Sequence, residues 1–325
     1  MHISYSRVST YMRCPFSHYL SYVRKLTPKE PSRPLSFGSD FHKLLEHRGK
    51  KSKVKKALKD IKGTYYGMPP KHQGILGDDY IDDLKTIFSD YMKVYKGSPI
   101  PDVTEQKFEI EMGTWKGEPV HFVGVIDGLY HKDNKILIEE HKTFTRKPDA
   151  NTLVMNMQKC LYAKAVQKCY GALPDGVIWD YIKSTPAKEP IWLEKSGKLS
   201  MAKSDSITPF SWQRACKRHN ITDLSVIEQG QQYEGNVQNF FFRRQLEFTQ
   251  NMVDLVWDSF LRSIKMICKY GDTDTAMNIT KDCSWCSFQP ICYAAMTGGN
   301  IDYTIDRDFT QKEEKEEDEK EVMKG

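Results

Sequence analysis

The stretch from residue 103 to residue 146 constrains the fold of this 325-residue chain most strongly. It holds three apolar runs with the length and the alternation that are typical of β-strands, separated by short polar turns. The runs are VTEQKFEIEM, PVHFVGVIDGLYH and KILIEEHKTFT, and the letters KDN form the last turn. We therefore predict three consecutive strands, of which the last two can form a hairpin around KDN.

The apolar runs of the second and third strands end on charged residues. Asp127 ends the first of these runs, Glu139 and Glu140 end the other, and Lys142 follows two residues later. Because side chains alternate along a strand, Glu140 and Lys142 share one face, whereas Glu139 and His141 share the opposite face. A hairpin around KDN would bring Asp127 close to Glu140.

This set of charges suits the hydrolysis of a phosphodiester. Two carboxylates at the rim of a sheet bind a hard divalent cation through oxygen, and Mg²⁺ with open water positions fits such a site. The cation stabilises charge on a phosphate and lowers the pKa of a bound water, while a lysine beside that water can orient or deprotonate it. Strands also commonly end in charged residues for no catalytic reason, so the pattern alone leaves both interpretations open.

The rest of the chain alternates between helical spacing and short strands, which predicts an α/β protein. Two short helices are expected within residues 4–25, broken at Pro15, and further helices in FGSDFHKLLEHRGK and KKSKVKKALKDIK. Helices are also predicted at 78–96, 151–170 and about 236–270, a strand at GVIWDYI, and a loop at PPKHQGILGDD. Residues 186–235 are polar and resemble an insertion of loops and short helices.

The charge of the chain is unevenly distributed. The net charge is +5, but residues 306–325 hold nine acidic and five basic side chains, so the remainder is clearly basic. A basic body suits a polyanionic partner such as nucleic acid, although many lysine-rich proteins are merely soluble. We expect residues 306–325 to be a charged, disordered tail because they are rich in Glu and Lys.

No part of the sequence predicts a membrane association. No run of eighteen apolar residues exists, which argues against a membrane span. The first residues, MHISYSRVSTYMRCP, lack the apolar stretch of a signal peptide. We therefore expect a cytoplasmic protein, in a bacterium or in the host of a phage.

Three of the eight cysteines lie close together near the end of the chain, in the segment DCSWCSFQPIC. Cys283, Cys286 and Cys292 have the spacing C-x₂-C-x₅-C. In a reducing compartment clustered cysteines more often bind metal than form disulfides. Thiolates suit a structural Zn²⁺ or an iron–sulfur cluster, and either would need a fourth ligand from elsewhere.

The acidic strand ends resemble the signature of the PD-(D/E)XK nuclease superfamily. In that resemblance VID and EEHK are the two halves of the signature. Asp127 then matches the first acid, Glu140 the second and Lys142 the lysine that positions or activates the water. The sequence departs from the signature at Ile126, where the superfamily often has proline.

Further motifs resemble the RecB-like branch of this superfamily. FGSDFH is similar to its upstream histidine motif, with Gly38 and His42 in the matching places, and QKCLY is similar to its Gln-x-x-x-Tyr motif. The resemblance implies that Gln158 and Tyr162, four residues apart on one helical face, guide the DNA strand. It also implies four metal-holding groups: His42, Asp127, Glu140 and the backbone carbonyl of His141.

The cysteines resemble those of the iron–sulfur nucleases in this branch, which include the CRISPR-associated exonuclease family and AddB-type subunits. There, one cysteine precedes the nuclease motifs and three follow them. The resemblance implies that a [4Fe–4S] cluster is held by Cys14, Cys283, Cys286 and Cys292. Such a cluster would link the two ends of the chain around the nuclease core, and structural Zn²⁺ is the alternative.

The resemblance implies a restriction-endonuclease-like core, with a central mixed β-sheet flanked by helices and a four-cysteine cluster linking its ends. We expect one nuclease domain over residues 1–305, with a helical insertion at about 50–100 and a second insertion at about 186–235. The first insertion carries seven lysines that either follow a phosphate backbone or form a solvated helix face: Lys50, Lys51, Lys53, Lys55, Lys56, Lys59 and Lys62.

The function implied is Mg²⁺- or Mn²⁺-dependent hydrolysis of DNA, most simply by an exonuclease on single-stranded or end-containing DNA. The alternatives are an endonuclease on the same fold, or a non-catalytic DNA-binding module with structural zinc. No Walker A loop is present, so any unwinding would come from a helicase or recombination partner. A role in replication, recombination or repair, such as that of a phage enzyme, would suit a nuclease of this size.

Overall fold

A seven-stranded mixed sheet forms the centre of the computed structural model, which describes residues 1–132, 135–149, 154–312 and 322–325. The strands are β1 (His2–Ile3), β2 (Leu26–Pro28), β3 (Val103–Trp115), β4 (Glu118–Lys132), β5 (Lys135–Phe144), β6 (Gly176–Lys183), β7 (Trp192–Leu193), β8 (Lys198–Leu199), β9 (Phe241–Glu247), β10 (Phe309–Gln311) and β11 (Val322–Lys324). The main sheet has the order β11-β3-β4-β5-β6-β9, and β1 pairs with β4.

Helices pack on both faces of this sheet. The α-helices are α1 (Tyr5–Arg13), α2 (Pro15–His18), α3 (Arg33–Glu46), α4 (Lys51–Gly67), α5 (Pro70–Leu76), α6 (Tyr80–Val94), α7 (Met157–Tyr170), α8 (Pro209–Arg218), α9 (Leu224–Glu228), α10 (Gln250–Tyr270), α11 (Gln289–Thr297) and α12 (Ile301–Asp308). A π-helical segment spans Tyr19–Val23, and 3₁₀ segments span Gln229–Asn239 and Lys281–Trp285. Among the described helices, none combines the length and the apolarity that a membrane span requires.

The connections between strands explain why the sheet is mixed. β3, β4 and β5 are consecutive and antiparallel, whereas β5 and β6 are parallel and are joined through α7. β9 then adds antiparallel to β6, and the short β1 adds parallel to β4. The three predicted strands and the predicted mixed sheet flanked by helices are thus confirmed.

The two faces of the sheet are covered by different helices. Tyr181 and Phe242 belong to the core that includes side chains of α7 and α10, whereas their neighbours Ile182 and Phe241 pack with α3, α4 and α6. Adjacent residues of one strand point to opposite faces. Both faces are therefore buried, and the sheet is the middle layer of three.

The predicted helix over about 236–270 is wrong in its first part. Residues Phe241–Glu247 are the edge strand β9, because Phe241 and Phe242 fill the cores on the two faces in alternation. The helix begins only at Gln250, after Thr249, whose side chain accepts a hydrogen bond from the Met252 backbone N–H. Apolar spacing near 3.6 residues did not reveal this break, because both elements are rich in apolar residues.

The predicted loop PPKHQGILGDD also contains regular structure. Pro70 begins α5, where a missing backbone N–H costs nothing, and Leu76 at its end is buried in the core beside α3 and α6.

The described part of the predicted disordered tail forms secondary structure. α12 reaches Asp308, β10 pairs with β2, and β11 pairs with β3. Phe309 explains the end of α12 and the pairing of β10 with β2, because its ring is buried and stacks on that of Phe288 at 5.5 Å. Residues 313–321 of the predicted tail, residues 133–134 of the predicted KDN turn and residues 151–153 of the predicted helix lie outside the described residues.

Candidate active site

Strand pairing brings the two signature acids together. Gly128 of β4 pairs with Glu139 of β5, so the next residues along the hairpin are Asp127 and Glu140. The backbone N–H of His141 donates to Oδ2 of Asp127 at 2.7 Å, which holds this carboxylate against β5. The predicted approach of Asp127 to Glu140 is what the register of the hairpin produces.

Glu140 is buried and incompletely partnered. Its Oε2 accepts hydrogen bonds from Nζ of Lys142 at 3.2 Å and from Nε2 of Gln158 at 3.3 Å. Its Oε1 is buried and has no hydrogen-bond partner among the described residues. Burial and, after it, the charge of Asp127 raise the pKa of Glu140 to about 8. A buried carboxylate with one unsatisfied oxygen beside a second carboxylate is the chemistry that a divalent cation would complete.

Asp127 has the opposite electrostatic character. Burial opposes its ionisation, but the hydrogen bond and the charge of His42 outweigh burial, so the pKa of Asp127 falls to about 2. Nδ1 of His42, on α3, lies 3.3 Å from Oδ1 of Asp127. The two neighbouring acids therefore differ in charge: Asp127 is a stable anion, whereas Glu140 gives up its proton with difficulty in the metal-free protein.

Lys142 remains a cation in this site. Burial works against its charge, but the carboxylates of Glu140 and Asp127 outweigh burial and raise the pKa of Lys142. Its Nζ also lies 5.5 Å from the centre of the Trp179 ring. As a protonated ammonium, Lys142 is a hydrogen-bond donor that can orient a water or stabilise charge on a phosphate oxygen.

Glu105 is a neighbour that sequence reasoning missed. One ligand atom from each of His42, Glu105 and Asp127 lies within 4.8 Å of the others, close enough for all three to hold one metal ion. Thr104 and Gln106 pair with Gly128 and Ile126, so Glu105 lies opposite Asp127. Its φ of 52° is in the left-handed region, which a residue other than glycine adopts rarely in a strand. No sequence pattern marks such a backbone, because the surrounding VTEQ reads as ordinary strand.

The two residues of the Gln-x-x-x-Tyr motif have different surroundings. Gln158 on α7 reaches Glu140, as described above, and is only partly buried. The Tyr162 side chain lies in the core, 7% exposed, with its ring 5.4 Å from that of Phe108 in an edge-to-face contact. The structure therefore brings Gln158 to the carboxylates, while most of Tyr162 packs beneath them.

A second cluster of charges lies on the opposite face of β5, as the alternation of that strand predicts. Glu139, His141 and Asp180 are all buried, and their ligand atoms lie within 4.8 Å of one another, so by spacing they too could hold a metal ion. Two arginines already compensate the acids. Arg48 lies 2.7 Å from Glu139, and Arg243 lies 3.3 Å from Glu139 and 3.0 Å from Asp180. Sequence reasoning placed Glu139 and His141 on this face but missed Asp180 and the two arginines, which come from distant segments.

The four predicted cluster cysteines come together. Cys14 lies between α1 and α2, and with Cys283, Cys286 and Cys292 it lines one cavity of about 180 Å³. Burial and the proximity of the other three thiols raise the pKa of Cys292 to about 11. All four are free cysteines. The tertiary fold brings Cys14 to the three distant cysteines, because α1 packs on α10 and the cysteine segment follows α10.

The four sulfurs are spread more widely than those of a closed zinc site. A tetrahedral zinc site with Zn–S bonds of about 2.3 Å holds its sulfurs roughly 3.8 Å apart. Within the described residues, no three of these cysteines have sulfurs that all lie within 4.8 Å of one another. Four thiolates are the donor set of a structural Zn²⁺ site and of an iron–sulfur cluster alike.

Comparison with known proteins gives a family and two remote structural likenesses. The chain is similar to the crystal structure of a protein described as a "Putative exonuclease" from Eubacterium rectale, with 13% sequence identity over 92% of this chain and 94% of that chain and a TM-score of 0.46. It is also similar to the crystal structure of SSO0001, with 14% identity over 89% of this chain and 95% of that chain and a TM-score of 0.32. None of the curated proteins compared with the chain matches it. The sequence model of the PD-(D/E)XK nuclease superfamily matches residues 2–293, nearly the whole chain, and the protein therefore belongs to that superfamily.

Proposed function

We propose that this protein is a divalent-metal-dependent deoxyribonuclease, an exonuclease that acts on single-stranded or end-containing DNA. The observation that carries the proposal is Glu140, a buried carboxylate with an unsatisfied oxygen, beside the anion Asp127 and the cation Lys142. This arrangement does not stabilise the fold, because a buried carboxylate oxygen without a hydrogen-bond partner costs free energy. A metal ion and a phosphate would supply the missing partners.

The residues present fit Mg²⁺ or Mn²⁺. Asp127, Glu140 and His42 would hold the ion together with the His141 backbone carbonyl, and Glu105 is close enough to add a further oxygen. When bound, the ion supplies a Lewis acid for the phosphate and lowers the pKa of a coordinated water. The outer partners are in place, since the His141 N–H orients Asp127 and Gln158 orients Glu140.

The chain's own residues then contribute binding, orientation and charge. Lys142 presents its ammonium on the same face as Glu140, where it can donate to the attacking water or to a phosphate oxygen. Gln158, being partly exposed, can contact the substrate strand as well as Glu140. Removal of the Lys142 charge would also leave Glu140 without its only positively charged hydrogen-bond partner among the described residues.

We further propose that the protein belongs to the RecB-like iron–sulfur branch, with a [4Fe–4S] cluster on Cys14, Cys283, Cys286 and Cys292. The cavity that the four cysteines share supports a four-thiolate site, and the resemblance to the iron–sulfur nucleases favours a cluster over zinc. Such a cluster would join the segment between α1 and α2 to the first turn of α11. Anaerobic purification tests this directly. Four irons per chain with broad visible absorption are expected, and one zinc per chain without colour would refute the cluster.

The nuclease proposal is tested with purified protein, labelled linear single-stranded DNA and closed circular single-stranded DNA of the same sequence. We expect Mg²⁺- or Mn²⁺-dependent degradation of the linear strand and none of the circle. Asp127→Asn, Glu140→Gln and Lys142→Ala should each abolish degradation, while the matched surface variant Glu118→Gln keeps it, because Glu118 is exposed.

The other outcomes refute separate parts of the proposal. Cleavage of the circle would make the protein an endonuclease. DNA binding without cleavage under either metal would make it a binding module. Metal affinity, measured by calorimetry without DNA, should fall in Asp127→Asn and Glu140→Gln but not in Glu118→Gln. Unchanged affinity in both active-site variants would refute the assigned ligands.

A further inference from the structure

Helix α4 carries a line of lysines that the proposed active site does not use. Lys51, Lys55, Lys59 and Lys62 follow one another at intervals of four, four and three residues, so they lie along one side of the helix. The first three are exposed and Lys62 is partly exposed. We call these four residues the α4 lysine face.

The adjacent apolar side of α4 holds the helix in place. Ile61 and Tyr65 are buried, and Val54 and Leu58 pack against the same core, which also contains Phe37 and Phe41 of α3. The helix is therefore anchored by its apolar side to the layer that carries His42. The lysines are presented on a rigid element, not on a flexible loop.

The α4 lysine face is not neutralised by the protein. Elsewhere on the surface, lysines pair with carboxylates at 2.5–3.4 Å, as Lys71 does with Glu30 and Lys93 does with Asp90. No ion pair links any lysine of this face to a carboxylate in the described part of the chain.

A further cation adjoins this face. Lys85 of α6 lies beside Lys62, and its ammonium lowers the pKa of Lys62. The carboxylate nearby is Asp82, which already pairs with Lys85 at 2.7 Å. Neighbouring cations repel each other and so destabilise the folded protein, and a bound anion would relieve this repulsion.

Two further lysines of α4 face α3, the helix that carries the proposed metal ligand His42. α3 ends at Glu46, four residues after the proposed metal ligand His42, and α4 begins at Lys51. A groove between the two helices is lined on the α3 side by Lys43 and His47 and on the α4 side by Lys53 and Lys56, together with the acids Glu46 and Asp60. Lys53 and Lys56 therefore lie on the side of α4 that faces α3, which is a different side from the α4 lysine face.

We propose that the α4 lysine face binds the phosphate backbone of single-stranded DNA and so contributes to the affinity for the substrate. This inference rests on the proposed nuclease function. From Lys51 to Lys62 the helix rises about 16 Å, so the four lysines can contact successive phosphates along one strand. Lysines contact phosphates as point charges and read no base, so the binding is independent of sequence.

The experiment measures how DNA affinity depends on salt. A fluorescent oligo(dT) is titrated with protein in EDTA, so that no cleavage occurs, at several NaCl concentrations. The quadruple variant Lys51→Gln/Lys55→Gln/Lys59→Gln/Lys62→Gln should lower the slope of log affinity against log salt by about 3, since each phosphate contact with a single strand contributes about 0.7. The corresponding quadruple Lys→Arg variant keeps the charges and should keep the slope.

A matched control separates this surface from the net charge of the protein. Lys195, Lys198, Lys203 and Lys217 are also exposed, and changing all four to Gln removes the same charge from another region. We expect the control to leave the slope unchanged. Equal slopes for the α4 variant and the wild type, or an equal decrease in the α4 variant and the control, would overturn the proposal.

Kinetics distinguish this inference from the nuclease proposal. With Mn²⁺ and linear single-stranded DNA, the α4 Gln variant should show a raised KM and an unchanged kcat, because no catalytic residue has been altered. A lower kcat at unchanged KM would overturn this role in binding. Absence of cleavage by the wild type would refute the nuclease proposal alone, since the affinity measurement in EDTA is independent of catalysis.

Discussion

Replacing Arg48 tests whether the buried charges behind β5 stabilise the fold through mutual compensation. Glu139 is fully buried, and Arg48 contacts its Oε2 at 2.7 Å while also donating to the hydroxyls of Tyr91 and Tyr130 at 3.1 Å each. Arg48→Met keeps much of the side-chain volume but removes the guanidinium. Glu139 then keeps Arg243, at 3.3 Å from Oε1, as an opposing charge.

The expected cost follows from this geometry. Removing one partner of a buried ion pair costs about 3–5 kcal/mol, because the remaining charge is uncompensated. Arg243 retains part of the compensation, so we expect a loss of about 3 kcal/mol, near the lower end of that range. The double variant Arg48→Met/Glu139→Leu removes both charges and should recover much of the loss.

Chemical unfolding in urea, followed by circular dichroism, measures the change in the free energy of unfolding. The matched control is Arg218→Met, because Arg218 also contacts a carboxylate, Glu189, at 3.1 Å, but its side chain is 69% exposed. An exposed pair of this kind contributes about 0–1 kcal/mol. If Arg48→Met costs no more than Arg218→Met, or if the double variant is no more stable than the single one, the reasoning about compensation at Glu139 is refuted.

Three further predictions concern other parts of the fold. Cys14→Ser should lower both the metal content per chain and the melting temperature, and unchanged values of both would exclude Cys14 as a ligand. His18 is buried, and its pKa is lowered to about 4 by burial and by Arg7, whose Nε donates to the neutral ring. The contribution of His18 to stability should therefore be complete above pH 6.5 and should decrease by up to about 3 kcal/mol as the pH falls towards 4. In urea titrations at several pH values, His18→Phe should abolish this decrease. Gly124→Val should cost about 1–3 kcal/mol, because even the first side-chain carbon would lie 2.5 Å from the buried ring of Phe108; equal urea midpoints for variant and wild type would contradict this.

Several features of the candidate site followed from local sequence alone. Alternation along β5 separates Glu140 and Lys142 from Glu139 and His141, and the structure places these pairs in different clusters. This inference succeeds because a strand's backbone repeats every two residues whatever packs on it. A hairpin with a short connection likewise sets which residues lie opposite each other, and so Asp127 meets the strand of Glu140.

Other features were beyond sequence reasoning because they depend on contacts between distant segments. Arg243 contacts Glu139 only because residues 241–247 form an edge strand, and their apolar pattern alone favoured a helix. Glu105 joins the site through a backbone conformation that no local motif predicts.

The sequence by itself determined the succession of β3, β4 and β5, the face that each acid of β5 occupies and the cysteine spacing, since these depend on local geometry and covalent order. Only the tertiary structure decided which distant side chains compensate the buried charges. Arg48 reaches Glu139 across 91 residues of sequence, and Cys14 meets Cys292 across most of the chain. The physical reason is that burial turns an unpaired charge into a cost of several kcal/mol, and the partner that removes this cost is chosen by proximity in the folded chain.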